Sequence, residues 1–128
     1  MLNKRALLAF RTAIEKVPGL IPGLYQSKEN VCAAGALGVD VGFPYETWVL
    51  DSHLSSQYRD DLATAGHFDR WTIDQVINCN DRFVFMSDDI SASIVRKALV
   101  LAYIENQLAI IAEHEAAEPI GPRELVPV

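Results

Sequence analysis

The chain has 128 residues, half of them hydrophobic, and a formal net charge of −6. This length suits one domain with its own core, and the longest apolar run, residues 98–104, is too short for the ~20 residues of a membrane-spanning helix. Because like charges repel, the acidic balance argues against a broad nucleic-acid-binding face, and the N-terminus lacks the apolar block of a secretory signal, so we expect a cytoplasmic protein.

The first half of the chain predicts two helices. One runs from Lys4 to Val17 with Asn3 as its cap. The turn-forming residues after this helix are compatible with a short β-hairpin near residues 24–32. The small residues of 31–41 predict a second helix. Residues 1–28 carry five basic residues against one glutamate, which is typical of a solvated helix face, with contact to an acidic partner as the alternative.

The middle of the chain predicts shorter helical segments. One follows Pro44, and another begins at Asp51 or Ser52 and ends at Gly66. The spacing of Thr72 and Gln75 has the form of a capping box, which predicts a helix over 72–79. The polar residues after it predict a turn over 78–82.

The longest predicted helix covers residues 87–115 and begins at Ser87-Asp88-Asp89, whose side chains can accept hydrogen bonds from the first turn. Its apolar residues spread beyond one stripe, so we expect the earlier segments to cover most of it. The sequence therefore predicts a mainly α fold, a compact single-domain bundle of about five helices around this C-terminal helix. The domain would span residues 1–117, followed by a proline-containing tail, residues 118–128.

Cys32 is the candidate nucleophile, because a thiol at the start of a helix can have a lowered pKa. His53 or His67 would be the base and Asn80 or Asp81 the orienting residue, which would make a small cysteine-dependent hydrolase or transferase. Cysteine is also among the residue types most often buried, and a structural thiol is the simpler interpretation.

Metal and cofactor sites are not expected. Cys32, His53, His67 and Cys79 are residue types that bind zinc, but none lie at the close paired spacing of a structural zinc site. No sequence pattern for nucleotide binding is present, because the glycines lack the lysine of a phosphate-binding loop.

Two short motifs carry a resemblance. The segment Cys32-Ala-Ala-Gly-Ala-Leu-Gly38, which includes Gly35, is followed by Ile77-Asn-Cys-Asn-Asp-Arg82, which includes Asn80 and Asp81. Together they resemble a group of small, uncharacterised bacterial and phage proteins with a Cys-Ala-x-Gly-Ala-Leu segment and a later Asn-Asp. The resemblance implies a small, mostly helical fold and an origin in a phage or mobile element.

For function, the sequence favours a non-catalytic protein-interaction or regulatory protein that acts on a host protein, with the cysteine-dependent enzyme as the alternative. Aromatic rings dominate binding hot spots, so the candidate partner-binding residues are Tyr45, Trp48, Tyr58 and Trp71. The apolar surface of the last helix could also serve a homodimer.

Overall fold

The computed structural model describes residues 2–22, 31–42, 52–83 and 89–117, with the backbone alone for 52–55. These ranges contain no strand, only an isolated parallel bridge between Leu20 and Val31, and the mainly α, single-domain bundle is confirmed. The predicted hairpin and the segment after Pro44 fall almost entirely outside the described residues. The helices are α1 (Lys4–Glu15), α2 (Ala33–Asp40), α3 (Ser52–Gly66), α4 (Arg70–Arg82) and α5 (Ile90–Ala117).

Helices α1 and α4 form the centre of the bundle. Each of them packs against both α2 and α5, and α3 packs on α4. Helix α5 runs antiparallel to α1, because Lys4 pairs with Glu115 at one end while the Lys97 ammonium reaches the Val17 carbonyl at the other. The hydrophobic core is made by buried residues of all five helices, including Leu7, Phe10, Ile14, Leu37, Leu62, Ile73, Val76, Val100 and Ile104.

Side chains cap the starts of the helices. Asn3 accepts a hydrogen bond from the Ala6 amide at 3.0 Å, as predicted for α1. Asp89 accepts one from the Ala92 amide at 2.9 Å, so the last residue of the predicted acidic start caps α5. An uncapped first turn leaves amide donors unsatisfied. Helix α1 begins at Lys4 as predicted, whereas α5 begins at Ile90, after the acidic residues of its predicted start.

The capping box predicted at Thr72 is wrong. Asp69 is the N-cap of α4, and its carboxylate accepts hydrogen bonds from both the amide and the hydroxyl of Thr72, at 2.9 and 2.6 Å. The Thr72 hydroxyl in turn accepts from the Asn3 amide at 2.8 Å. Thr72 is fully buried, and it joins the starts of α1 and α4 instead of beginning a helix itself.

The end of α3 also differs from the expected pattern. Gly66 is the last helical residue, but His67 adopts the left-handed conformation, with a φ of 54°. Its carbonyl accepts a hydrogen bond from Arg5 at 2.6 Å. A Cβ on Gly66 would lie 2.0 Å from the Phe68 ring, so the glycine makes room for that ring and does not supply the positive φ.

Two adjacent basic residues of α5 bind the C-terminal ends of two other helices. The buried Arg96 guanidinium donates to the carbonyl of Asn80, in the last turn of α4. The Lys97 ammonium donates to the carbonyl of Val17 at 2.6 Å and, more weakly, to that of Glu15 at 3.4 Å, at the end of α1. A helix C-terminus carries partial negative charge, so both contacts are electrostatically favourable. They hold the central helices against α5.

Removing the Lys97 ammonium is expected to destabilise the protein modestly. Lys97→Met keeps the aliphatic stem but leaves the last carbonyls of α1 without their cation, and we expect a loss of about 1 kcal/mol in the free energy of unfolding. Urea denaturation measures it, with Lys97→Arg as the control that retains the charge. Equal stability of Lys97→Met and wild type would contradict the capping role.

Candidate functional site

The two motifs that carry the resemblance, residues 32–38 and 77–82, meet around residues 20 and 21, which follow α1. Leu20 donates its amide to the Ser93 carbonyl of α5 at 3.0 Å, and Ile21 donates to the Val31 carbonyl at 3.0 Å. The Ile21 carbonyl accepts from the Asn80 side-chain amide at 2.9 Å. One two-residue segment therefore ties together α5, the start of α2 and the end of α4.

Cys32 is the N-cap of α2. Its Sγ accepts a hydrogen bond from the Gly35 amide at 3.4 Å, and the residue is only 5% exposed. Burial is the main cause that raises the pKa of the Cys32 thiol, and the charge of Asp81 raises it further, while the Gly35 amide opposes the change. The helix start does favour the thiolate, but desolvation dominates.

The structure does not bring His67 to Cys32. His67 contacts Arg5 near the start of α1, whereas Cys32 follows Val31, which bridges to Leu20 beyond the end of that helix. Twelve helical residues, about 18 Å, separate the two ends. The side chain of His53, the other predicted base, falls outside the described residues.

Asn80 and Asp81 occupy the last turn of α4, so the predicted turn over 78–82 is wrong. Asn80 is fully buried and donates its side-chain amide to the Ile21 carbonyl and to the Asp81 carboxylate, at 2.9 and 3.0 Å. Its own carbonyl accepts from Arg96. Asp81 itself is exposed. Arg96 completes this cluster and was not predicted as a site residue. The available signal in the sequence was a charged residue within an otherwise apolar stretch of helix.

The Cys32 thiol is expected to make stability fall at high pH. A thiol with a raised folded-state pKa stabilises the fold fully below the unfolded pKa, about 8.5, and that contribution is lost as the pH rises through the folded pKa. Urea denaturation at pH 7.5, 8.5 and 9.5 should show a decline of up to about 1.4 kcal/mol per pH unit that Cys32→Ala reduces. Identical slopes in both proteins would contradict the burial of this thiol.

Reactivity offers a second check on the same group. Native Cys32 should react with a thiol reagent only as fast as the protein opens, because the protonated, buried thiol is a poor nucleophile. The same reagent should label both cysteines at once in denaturant. Fast labelling of native Cys32 below neutral pH would instead support the cysteine-dependent enzyme.

The predicted aromatic anchors divide into three cases. Tyr58 is buried in the hydrophobic core at 8% exposure, so its ring is not available to a partner. Trp71 is 52% exposed at the start of α4 and is available. Tyr45 and Trp48 fall outside the described residues. Among the described residues, Trp71 is the predicted anchor that remains available at the surface.

Several apolar side chains of α5 are exposed, and they correct the expectation that this helix is covered on most sides. Ile94, Val95 and Ile110 are 53%, 45% and 44% exposed. Arg96, Val100 and other residues on the opposite side are buried against α1 and α4. No other described helix packs extensively on the exposed side. We call this side the outer face; its apolar members are Ile94, Val95, Ala98, Ala102 and Ala109, and Ile110 lies at its edge, about 24 Å along the helix from Ile94.

The basic residues of α1 contact other parts of the same chain. Lys4 and Arg11 pair with glutamates of α5, the latter with Glu105 at 2.9 Å. Lys16 pairs with Asp40 of α2, and Arg5 lies over the Phe68 ring, 5.0 Å from its centre. These charges are engaged by groups of the same chain, and exposed ion pairs of this kind contribute little stability.

The described residues contain no group of three or more cysteine, histidine or carboxylate side chains that could hold a metal ion. Among the same residues, no helix is long and apolar enough to cross a membrane. Comparison of the chain with protein-family models, with curated proteins and with solved structures finds no match. The case for a function therefore rests on the sequence and the geometry of the chain itself.

Proposed function

We propose that this is a non-catalytic protein-interaction or regulatory protein whose binding surface is the outer face of α5. The observation that supports this most is the exposure of Ile94 and Val95, at 53% and 45%, side by side on a helix whose other side is buried. Ile94 and Val95 adjoin Ala98 and Ala102 on the same exposed side of the helix, and grouped exposed apolar side chains on a small protein are typical of a site where another molecule binds.

The placement of the motif residues supports the same proposal. Cys32 and Asn80 are buried and bonded to backbone groups of neighbouring segments. A buried polar group that satisfies backbone partners stabilises a fold, and it does not by itself present chemistry to a substrate. The motif thus builds the scaffold, and the exposed helix presents the binding surface.

The wider setting is part of the proposal. Both cysteines are free and buried, as is usual for a protein of a reducing compartment, which supports a cytoplasmic location. An origin in a phage or mobile element, and action on a host protein, are supported by the resemblance of the segments 32–38 and 77–82. The net charge of −6 supports a protein partner over a nucleic acid.

Photo-crosslinking tests the binding surface. A photoreactive phenylalanine analogue is placed in the full chain at Ala102, on the outer face, and in a matched control at Ala65, an exposed alanine of α3. After irradiation in cells, the Ala102 position should give discrete protein adducts that the Ala65 position does not give. Adducts of equal yield at both positions, or no adduct at Ala102, would refute the proposed surface.

A further inference from the structure

The last turn of α4 contains a buried acceptor that no donor among the described residues reaches. This atom is the side-chain oxygen of Asn80, Oδ1, and the residue is 0% exposed. Buried polar atoms in folded proteins are nearly always hydrogen-bonded, because an unsatisfied one loses its hydration without compensation. The oxygen therefore requires a donor that these residues do not supply.

The direction of this oxygen is fixed by the two partners of the amide nitrogen. Asn80 Nδ2 lies 2.9 Å from the Ile21 carbonyl and 3.0 Å from the Asp81 carboxylate. A carbonyl and a carboxylate both accept hydrogen bonds and donate none. Turning the amide over would set Oδ1 against two acceptors, so the hydrogen-bond network assigns the nitrogen to this side and the oxygen to the other.

A buried guanidinium contacts the same residue. Arg96 is 1% exposed, and it donates to the backbone carbonyl of Asn80. Its Nε is buried as well. Because a guanidinium carries five N–H donors in a fixed fork, Arg96 can serve another acceptor in addition to that carbonyl.

We propose that Asn80 and Arg96 hold one buried water molecule, which donates to Asn80 Oδ1 and accepts from the Arg96 guanidinium. Water fits both groups, since it donates and accepts hydrogen bonds and has no charge. Folded proteins contain on the order of one buried water per 27 residues, each bonded to otherwise unsatisfied polar groups. A cation would be repelled by the guanidinium and an anion by the lone pairs of Oδ1, so neither is favoured in this place.

This water adds a link between α4 and α5. The Asn80 side chain already binds residue 21, and its backbone carbonyl already binds Arg96 of α5. The water joins the two side chains as well. An amide at position 80 supplies donors on one side and an acceptor on the other, which neither leucine nor an ionised aspartate does. The inference is independent of the outer face of α5.

A crystal structure of the full chain at high resolution tests the site. An ordered water should lie about 2.8 Å from Asn80 Oδ1 and about 2.9 Å from a nitrogen of Arg96. A direct bond from a protein donor to Oδ1 would overturn the proposal. So would the lack of water density beside a well-ordered Asn80.

Water–protein NMR tests the same site in solution. The side-chain amide protons of Asn80 should give cross-peaks to water that have opposite signs in the laboratory and rotating frames, the behaviour of a long-lived bound water. Asn78, which is exposed on the same helix, is the matched control and should not show this behaviour. Identical behaviour of the two asparagines would contradict a buried water.

Arg96→Met tests the second partner of the water. The variant removes the guanidinium donors and keeps Asn80, so the water should exchange faster and its cross-peak to Asn80 should weaken several-fold. Lys97→Met, at the next position, should leave the cross-peak unchanged. A cross-peak of full intensity in Arg96→Met would overturn the role of Arg96. The crystal and wild-type NMR measurements decide the proposal if this variant does not fold.

Discussion

Arg96→Ala is expected to lower the free energy of unfolding by about 4 kcal/mol. The substitution removes the largest fully buried side chain in the described part of the protein, which is 1% exposed, and large-to-small changes in a core cost about 2–5 kcal/mol. It also removes the charged donor to the Asn80 carbonyl, and a hydrogen bond to a charged group contributes about 1.5–3 kcal/mol.

Urea denaturation of three variants separates the two contributions. Arg96→Met keeps much of the side-chain volume and loses the charged donor, so it should fall between wild type and Arg96→Ala. Lys97→Met, at the next position but only half-buried, should lose far less. If Arg96→Ala cost no more than Lys97→Met, the buried guanidinium would not be the contact that holds α4 against α5.

Gly19→Ala is expected to destabilise the protein by about 2–3 kcal/mol, because there is no room for a methyl group where the chain crosses α5. A Cβ on Gly19 would lie 2.5 Å from the Ser93 Oγ and 2.9 Å from the Ser93 carbonyl carbon. The backbone contributes part of this contact, so a side-chain rotation cannot relieve it fully. The hydrogen bond from Leu20 to the Ser93 carbonyl should weaken as the segments separate.

Gly35→Ala is the matched control, since Gly35 is also buried but a Cβ there would meet its nearest neighbour, Val31, at an ordinary 3.4 Å. Alanine favours a helix by about 1 kcal/mol over glycine, so this variant should be as stable as wild type or more so. Thermal denaturation compares the two. Ser93→Gly should restore part of the stability lost in Gly19→Ala, and strictly additive effects would contradict direct contact.

Much of the helical organisation could be predicted because it is encoded locally. The period of apolar residues in α1 and α5, the amide-accepting side chains of Asn3 and Asp89, and the stop at Gly66 are all features of neighbouring residues. The true cap of α4 was missed because Asp69 and Thr72 are both good capping residues three positions apart, and in the fold the Thr72 hydroxyl is engaged by Asp69 and by the distant Asn3 amide.

The site was less predictable because it depends on contacts between distant segments. Cys32 starts a helix, which lowers a thiol pKa, and only the packing of other segments around it shows that burial has the larger effect. Arg96 and Lys97 carry the same charge in adjacent positions, yet one is buried and the other half-buried. Nothing local in the sequence indicates which helix ends they will meet.

The outer face of α5 shows a further limit of sequence patterns. An apolar residue on a helix is equally consistent with the core of its own chain and with a partner's surface. Ile94 and Val100 differ little in hydrophobicity, yet the first is 53% exposed and the second fully buried. Only the placement of α1 and α4 distinguishes the two sides.

The central claim is that the protein works through the outer face of α5 and not through the buried Cys32. Hydroxyl-radical footprinting in cells, compared with the dilute purified protein, tests it most directly by measuring oxidation at Ile94, Val95 and Ile110. Val39, which is 57% exposed on α2, is the internal control. We predict that oxidation of the three α5 residues is several-fold lower in cells while that of Val39 is unchanged. Equal oxidation of the three residues in both settings would contradict the claim.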